Sequence, residues 1–302
     1  MQGHIHLVIG IFREVNFGRA MSEQISIIVT TYNRMNALNA VLQGLARQND
    51  RGFQVIIADD GSDPTAHETL QARAAHFELP IKHVWHPDRG FRAGEIRNCA
   101  ILASHGSYCI FLDGDCIPRP DFVAAHRRLA EPGWFVTGNR VLLSRELTDR
   151  VLAKSAEPAL WGPRKWVSLR RQRGINRVAP LWRLPLGPLR KLRASAWRGA
   201  RSCNLAIWRG DLDRVDGFDA TYSGWGLEDS DLLIRLLRAG VRRKDGNFAT
   251  GVIHLWHPES DRSSLAENQR RLDEVERAGR VRAVAGLSRI DPSADTALPR
   301  QC

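Results

Sequence analysis

An α/β protein built on a mostly parallel sheet is predicted by three observations. Apolar runs of strand length, Ile25–Val29, Phe53–Ala58 and Tyr108–Leu112, have the near-continuous hydrophobicity of strands buried on both faces. A helix-like stretch from Met35 to about Gln48 separates the first two. A strand–helix–strand unit of this kind closes as a right-handed crossover between parallel strands. Each run then ends in small polar or acidic residues: Thr30-Thr31-Tyr32-Asn33-Arg34, Asp59-Asp60-Gly61-Ser62 and Asp113-Gly114-Asp115. Parallel strands put such ends on one edge of the sheet, where α/β proteins place ligands.

Length frames the domain reading. With 302 residues the chain accommodates one large domain with appendages. Five cysteines, Cys99, Cys109, Cys116, Cys203 and Cys302, show no Cys-x-x-Cys spacing and no even framework, which favours a reduced, cytoplasmic protein. Cys116, beside Asp115, reads as a small core residue rather than a ligand. Near the start, His4 to Phe12 is an apolar run of about nine residues, too short to span a bilayer and without a secretion signal's basic start and cleavage site. Residues 1–22 are therefore read as an extension ahead of a second candidate start at Met21, with a short membrane-surface anchor as the alternative. The tail from about Leu265 reads as a charged helix with Leu272, Val275, Ala278 and Val281 on one face, and 288–302 as disordered.

The chemistry concentrates in two acidic elements. Ser223-Gly-Trp-Gly-Leu-Glu228-Asp229-Ser-Asp231 sets three carboxylates within four residues, ahead of a Leu-rich helical run and a His254-x-x-His257 pair. Such carboxylates repel one another and lose hydration if buried, so they either cap a helix or serve a cation or a proton transfer. Asp113 and Asp115, two apart across a glycine, can both turn toward one point beyond the strand. Their oxygens suit Mg²⁺ or Mn²⁺, which carry phosphate oxygens in turn. The bland alternative is an Asp-Gly turn. An aspartate after the second strand, at Asp60, can accept hydrogen bonds from a base N–H or a ribose hydroxyl. Pocket composition thus favours a nucleotide, although neither Gly-x-Gly-x-x-Gly nor a phosphate-binding Gly-x4-Gly-Lys-Ser loop is present.

Five segments in order, Ile27-Ile-Val-Thr-Thr-Tyr-Asn-Arg34, Asp59-Asp-Gly-Ser62, Gly94-Glu-Ile-Arg-Asn-Cys-Ala-Ile101, Asp113-Gly-Asp115 and Gly224-Trp-Gly-Leu-Glu-Asp229, resemble the inverting family-2 glycosyltransferases of the GT-A fold. The last is similar to the acceptor-side motif of β-1,4-galactosyltransferases and of the bacterial chondroitin polymerase. The resemblance spans roughly residues 23–260. It implies that Thr31 and Tyr32 line a uridine site, that Asp60 binds the uracil and that Arg97 lies beside the nucleotide. Asp113 would reach the ribose or donor sugar, and Asp115 would hold Mn²⁺ or Mg²⁺ against the diphosphate. Glu228 would contact the acceptor, with Asp229 as general base. His254 and His257 fall where galactosyltransferase-like enzymes place their remaining metal ligands, displaced by about a residue, which leaves one or both as ligands. The implied donor is a UDP-sugar, with GDP- and dTDP-sugars as alternatives. The implied acceptor is a growing glycan of lipopolysaccharide, capsule or lipid-linked type. From another class, a non-catalytic nucleotide-sugar- or polyanion-binding protein is the competing reading.

Charge adds a separate clue. The net charge is +11, yet Pro158 to Gly210 holds thirteen Lys or Arg and no acid. The remainder carries 31 basic and 33 acidic residues, close to neutral. Trp161, Trp166, Trp182, Trp197 and Trp208 share that window. Cations with tryptophans and prolines suit the surface of an anionic membrane, with a solvated basic loop as the bland alternative. Nucleic acid is disfavoured, because the rest of the chain is nearly neutral and carries no nucleic-acid motif. The expectation is a basic insert at 158–210 docking a peripheral enzyme on the inner face of the cell membrane.

Overall fold

The computed structural model describes residues 8–11, 24–63, 65, 70, 77–154, 156–259 and 261–290. Its strands in chain order are β1 (Val8–Ile11), β2 (Ile25–Thr31), β3 (Phe53–Asp59), β4 (Ile81–Trp85), β5 (Tyr108–Asp113), β6 (Cys116–Ile117), β7 (Trp134–Thr137), β8 (Arg140–Leu142), β9 (Asn204–Trp208), β10 (Arg242–Asp245) and β11 (Val252–His254). The helices are α1 (Met35–Ala46), α2 (Ala93–Ala103), α3 (Phe122–Leu129), α4 (Arg145–Leu152), α5 (Pro163–Arg171), α6 (Arg209–Val215), α7 (Glu228–Arg238) and α8 (Leu265–Ala278).

The main sheet runs β1-β4-β3-β2-β5-β9-β7-β10. Its centre, β4-β3-β2-β5, is parallel, and β9 enters antiparallel between β5 and β7. Alternate residues explain the apolar runs. Ile27, Val29, Val55 and Ile57 pack on one face with Leu38, Val41 and Leu42 of α1. Ile28, Ile56 and Phe111 pack on the other with Ile96 and Ala100 of α2 and Leu232 of α7. Both faces are covered, so no polar residue is needed at every second position.

Register fixes the ligand edge. Thr31 stands opposite Asp59, and Thr30 opposite Asp113, so the three polar strand ends are neighbours. A second sheet, β6-β11-β8, lies past the end of β5. In it His254 stands opposite Cys116, the residue after Asp115.

Three expectations need adjusting. The basic segment is not wholly peripheral: Asn204–Trp208, within 158–210, is β9 in the centre of the sheet. Of its five tryptophans, Trp166 is buried at 2 % exposure and only Trp182, at 47 %, stands among the exposed hydrophobics. Residues 288–290 are ordered: Ser288 donates Oγ–H to Asp216 Oδ2 (2.8 Å), and Ile290 is buried. Most of the extension at 1–22 and the tail at 291–302 lie outside the described residues, although Val8–Ile11 pairs antiparallel with β4. Helix α8 buries Leu272 and Val275 against Ile234 of α7, so its apolar face is used within the molecule.

Candidate active site

One cleft of about 700 Å³ opens at the polar strand ends. Thr31, Tyr32, Asp60, Arg97, Asp113, Asp115, Glu228, Asp229, His254 and His257, the residues singled out from the sequence, all line it.

The three carboxylates before α7 separate by what neutralises each. Glu228 accepts from Arg97 Nη1 at 3.0 Å. Asp231 turns away from the cleft and is fully buried, held by Arg235 Nε at 2.5 Å and by Arg280 at 3.3 Å. Asp229 lines the cleft with no ion pair among the described residues; its one backbone donor outside the helix is Ser202 N–H, at 3.3 Å. Burial first, then the neighbouring Glu228, push the Asp229 carboxyl up to about 6. All three acids stand in the first turn of α7, where the helix N-terminus favours negative charge, while the cap position itself is Leu227 and makes no side-chain cap bond. The turn ahead is tight. Leu227 sits at φ +78°, a left-handed conformation that costs an ordinary side chain roughly 1–2 kcal/mol.

The Asp-Gly-Asp turn is equally constrained. A Cβ on Gly114 would stand 2.9 Å from the Thr30 carbonyl oxygen. Arg97 is buried beneath this turn and joins its two sides, donating to Asp113 (3.4 Å), Glu228 and the Thr30 hydroxyl (3.0 Å). It is therefore a buried bridge between both acidic elements as well as a lining residue. Asp115 accepts from Arg34 Nη1 at 2.8 Å, while His254 Nε2 and His257 Nε2 each stand 3.5 Å from its carboxylate. Burial raises both the Asp113 and Asp115 carboxyls above the usual range, and burial with Arg140 pushes the His254 imidazole down to about 3. Carboxyls raised by burial beside the neutral His254 imidazole describe a site short of positive charge. Ligand atoms of Asp115 and His254 fall within 4.8 Å of one another together with Cys116. His257 stands beside Asp115 outside that group. A carboxylate with one imidazole thus fits a divalent cation of the manganese or zinc type, and His257 adjoins it.

The end of the cleft at Asp60 is also built. Asp60 is buried and receives Arg92 N–H (2.9 Å) and the His86 ring nitrogen (2.8 Å). Thr31 is buried with its hydroxyl unpartnered. Tyr32 is half-exposed and donates to Asp88 (2.9 Å). Reasoning from sequence missed Arg34, Arg140, Cys203, Trp256 and Arg262, which line the cleft together with Trp225. Trp225 stands in the Gly224–Asp229 motif and Arg34 in the first motif; the others come from distant segments with no local signal.

Residues 26–182 match the family model for glycosyl transferase family 2, and residues 191–258 that for the N-terminal domain of galactosyltransferase. The first match covers more than half of the chain, which therefore belongs to glycosyl transferase family 2 and has its GT-A fold. Validoxylamine A glucosyltransferase of Streptomyces hygroscopicus subsp. jinggangensis is 28% identical over 261 residues, covering 81% of this chain and 59% of that protein. Chondroitin synthase of Escherichia coli is 27% identical over 72% of this chain and 32% of its own length. The chain thus spans between about a third and three-fifths of these relatives. Among solved structures, GalNAc-T7 with UDP, GalNAc and Mn²⁺ superposes with a TM-score of 0.59 at 15% identity, over 84% of this chain and 50% of that one. Staphylococcus aureus TarS 1–349 with UDP-GlcNAc gives 0.56 at 15% identity, over 83% and 66%.

Proposed function

We propose that this chain transfers a hexose from a UDP-sugar to a hydroxyl of a growing glycan, with inversion and with a divalent cation. The observation that carries the reading is Asp229, the one acid of the α7 cluster left without a cation, in a cleft that also holds the Asp113/Asp115 pair. A single displacement through an oxocarbenium-like transition state needs a base for the acceptor proton and stabilisation of the departing diphosphate. Asp229 takes the proton as the acceptor oxygen attacks; a positioned base contributes roughly 10²–10⁴-fold. Glu228, oriented by Arg97, accepts from acceptor hydroxyls. Asp115, His254 and His257 would hold Mn²⁺ or Mg²⁺, which supplies charge neutralisation for the leaving diphosphate. Asp60, Thr31 and Tyr32 receive the uridine, the orphan Thr31 hydroxyl and the Asp60 carboxylate offering polar groups to base and ribose, and Asp113 reaches the ribose or the donor sugar.

The uridine donor rests on the sequence resemblance, since the structural neighbours include a GDP-mannose complex as well as UDP complexes and do not choose between the two nucleotides. The glycan acceptor is supported by the chondroitin and hyaluronan synthases among the relatives, whereas the validoxylamine A glucosyltransferases carry another acceptor in their name. No helix among the described residues is long and apolar enough to cross a membrane. Placement is proposed as cytoplasmic and peripheral, through the basic segment.

A panel of UDP-, GDP- and dTDP-sugars, with Mn²⁺ and with chelator, tests the reading by thermal shift and product formation. UDP-sugars should stabilise the protein only with metal, and product should vanish in chelator and return with Mn²⁺. Full turnover in excess chelator would remove the metal role. Asp229→Asn should keep donor affinity and lose about 10²-fold or more in kcat.

A further inference from the structure

Two cysteines that take no part in sugar transfer stand against the acidic turn. Cys116 begins β6 and is fully buried; Cys203 immediately precedes β9 and lines the cleft at 5 % exposure. They meet because β5, which leads into Cys116, pairs with β9 in the register Leu112 to Asn204. One ligand atom each from Asp113, Cys116 and Cys203 lie within 4.8 Å of one another. Asp115, Cys116 and His254 form a second group within the same limit, sharing Cys116. Both thiols are free.

A site for Mg²⁺ or Mn²⁺ needs no sulfur, since hard cations select oxygen. Two thiols with a carboxylate, and an imidazole on the adjoining strand, are the donor set of a softer ion. We propose that Asp113, Cys116 and Cys203 form a thiophilic cation position adjoining Asp115 and His254, one that takes Zn²⁺ or Cd²⁺. Both thiols coordinate as thiolates, releasing their protons to solvent. An ion there draws on Asp113 and crowds Asp115, so it competes with the Mn²⁺ of the transfer reaction. That last consequence rests on the proposed function; the binding does not.

The test uses the full chain, reduced and stripped of metal, titrated with Co²⁺ as a spectroscopic probe and then with Zn²⁺. A thiolate-to-cobalt charge-transfer band should develop to saturation and collapse when Zn²⁺ is added. In Cys203→Ser, which keeps only the Cys116 sulfur, that band should weaken sharply, with Zn²⁺ affinity reduced more than the roughly 10–100-fold that loss of an outer-shell partner causes. Because Cys116 is enclosed, Cys116→Ser can fail to fold. Alkylation supplies the second measurement: Zn²⁺ should protect Cys203 of the native protein from a maleimide, read by mass of the labelled peptide. Cobalt binding without the sulfur band, a band unchanged in Cys203→Ser, or alkylation indifferent to Zn²⁺ would each overturn the site. Neither readout involves turnover, so an inactive protein that binds Co²⁺ through sulfur refutes only the proposed reaction.

Discussion

At the scale of single residues, the cluster before α7 assigns different work to chemically similar groups. Asp231 forms a buried pair with Arg235 and Arg280, whereas Asp229 keeps its charge unpaired against burial. Opposite effects on stability follow. Asp231→Asn leaves Arg235 buried and incompletely paired, and should destabilise the fold by about 3–5 kcal/mol. Asp229→Asn removes a charge the fold disfavours and should stabilise it by about 1–2 kcal/mol at neutral pH, after allowing for water in the cleft. The same substitution should all but abolish turnover. Were Asp229 only a helix cap, it would cost about 1 kcal/mol and leave activity intact. The pH dependence has a definite sign. The folded carboxyl titrates at about 6, above the unfolded value, so the folded state binds this proton more tightly. This group's contribution to stability is present below the ordinary carboxylate range and is lost as pH rises through about 6. Activity, which needs the ionised base, should rise through that interval. Thermal melts and kcat/KM profiles on wild type and Asp229→Asn should show opposite trends that vanish in the variant.

At the scale of elements, the Asp113-Gly114-Asp115 turn depends on backbone approach. Adding the Gly114 methyl brings a carbon to 2.9 Å from the Thr30 oxygen and 3.1 Å from Thr31 Cβ, so the turn must shift. Gly114→Ala should cost about 1–3 kcal/mol, the usual range for overpacking. It should also weaken Mn²⁺-dependent UDP binding by about tenfold or more, because the displaced backbone carries both carboxylates. Calorimetric titration with and without Mn²⁺ checks this; unchanged metal-dependent affinity would separate the turn from the cation. The same turn marks what the sequence could and could not convey. Strand ends were legible because apolar runs and their polar ends lie within a few residues of one another. His254 and His257 were legible as a spaced pair. Arg34 closing on Asp115, and Cys203 arriving beside Asp113, depend on pairings across 81 and 90 residues that no local pattern records.

At the scale of the whole molecule, packing revises what the basic segment offers a membrane. Sequence counting gave thirteen cations and five tryptophans, yet Trp166 fills the core and Trp208 donates to the Glu131 carbonyl. Arg183 and Lys191 are tied to Asp121 and Glu131, and Arg190 to backbone carbonyls. What remains outward is Arg164, Lys165, Arg170, Arg171 and Arg173 on and just after α5, with Arg177, Arg193, Arg198 and Arg201 further along the segment. Trp182, Leu184, Leu189 and Leu192 remain exposed at 47, 46, 59 and 79 %. These two groups make separable contributions. Attraction of cations to an anionic leaflet is screened by salt, at about 1 kcal/mol each, whereas insertion of apolar side chains is not. Liposome sedimentation should show binding that rises with anionic lipid and weakens, without vanishing, at high salt. Charge reversal of Arg170, Arg171 and Arg173 should reduce the salt-sensitive part. Leu189→Asp with Leu192→Asp should remove the salt-resistant part. Neither change touches Asp60 or Asp115, so donor binding should persist in both while turnover of a lipid-linked acceptor falls. Equal affinity for neutral and anionic vesicles would dismiss the electrostatic arm, and steep, salt-sensitive binding to RNA in preference to vesicles would transfer the basic face to nucleic acid.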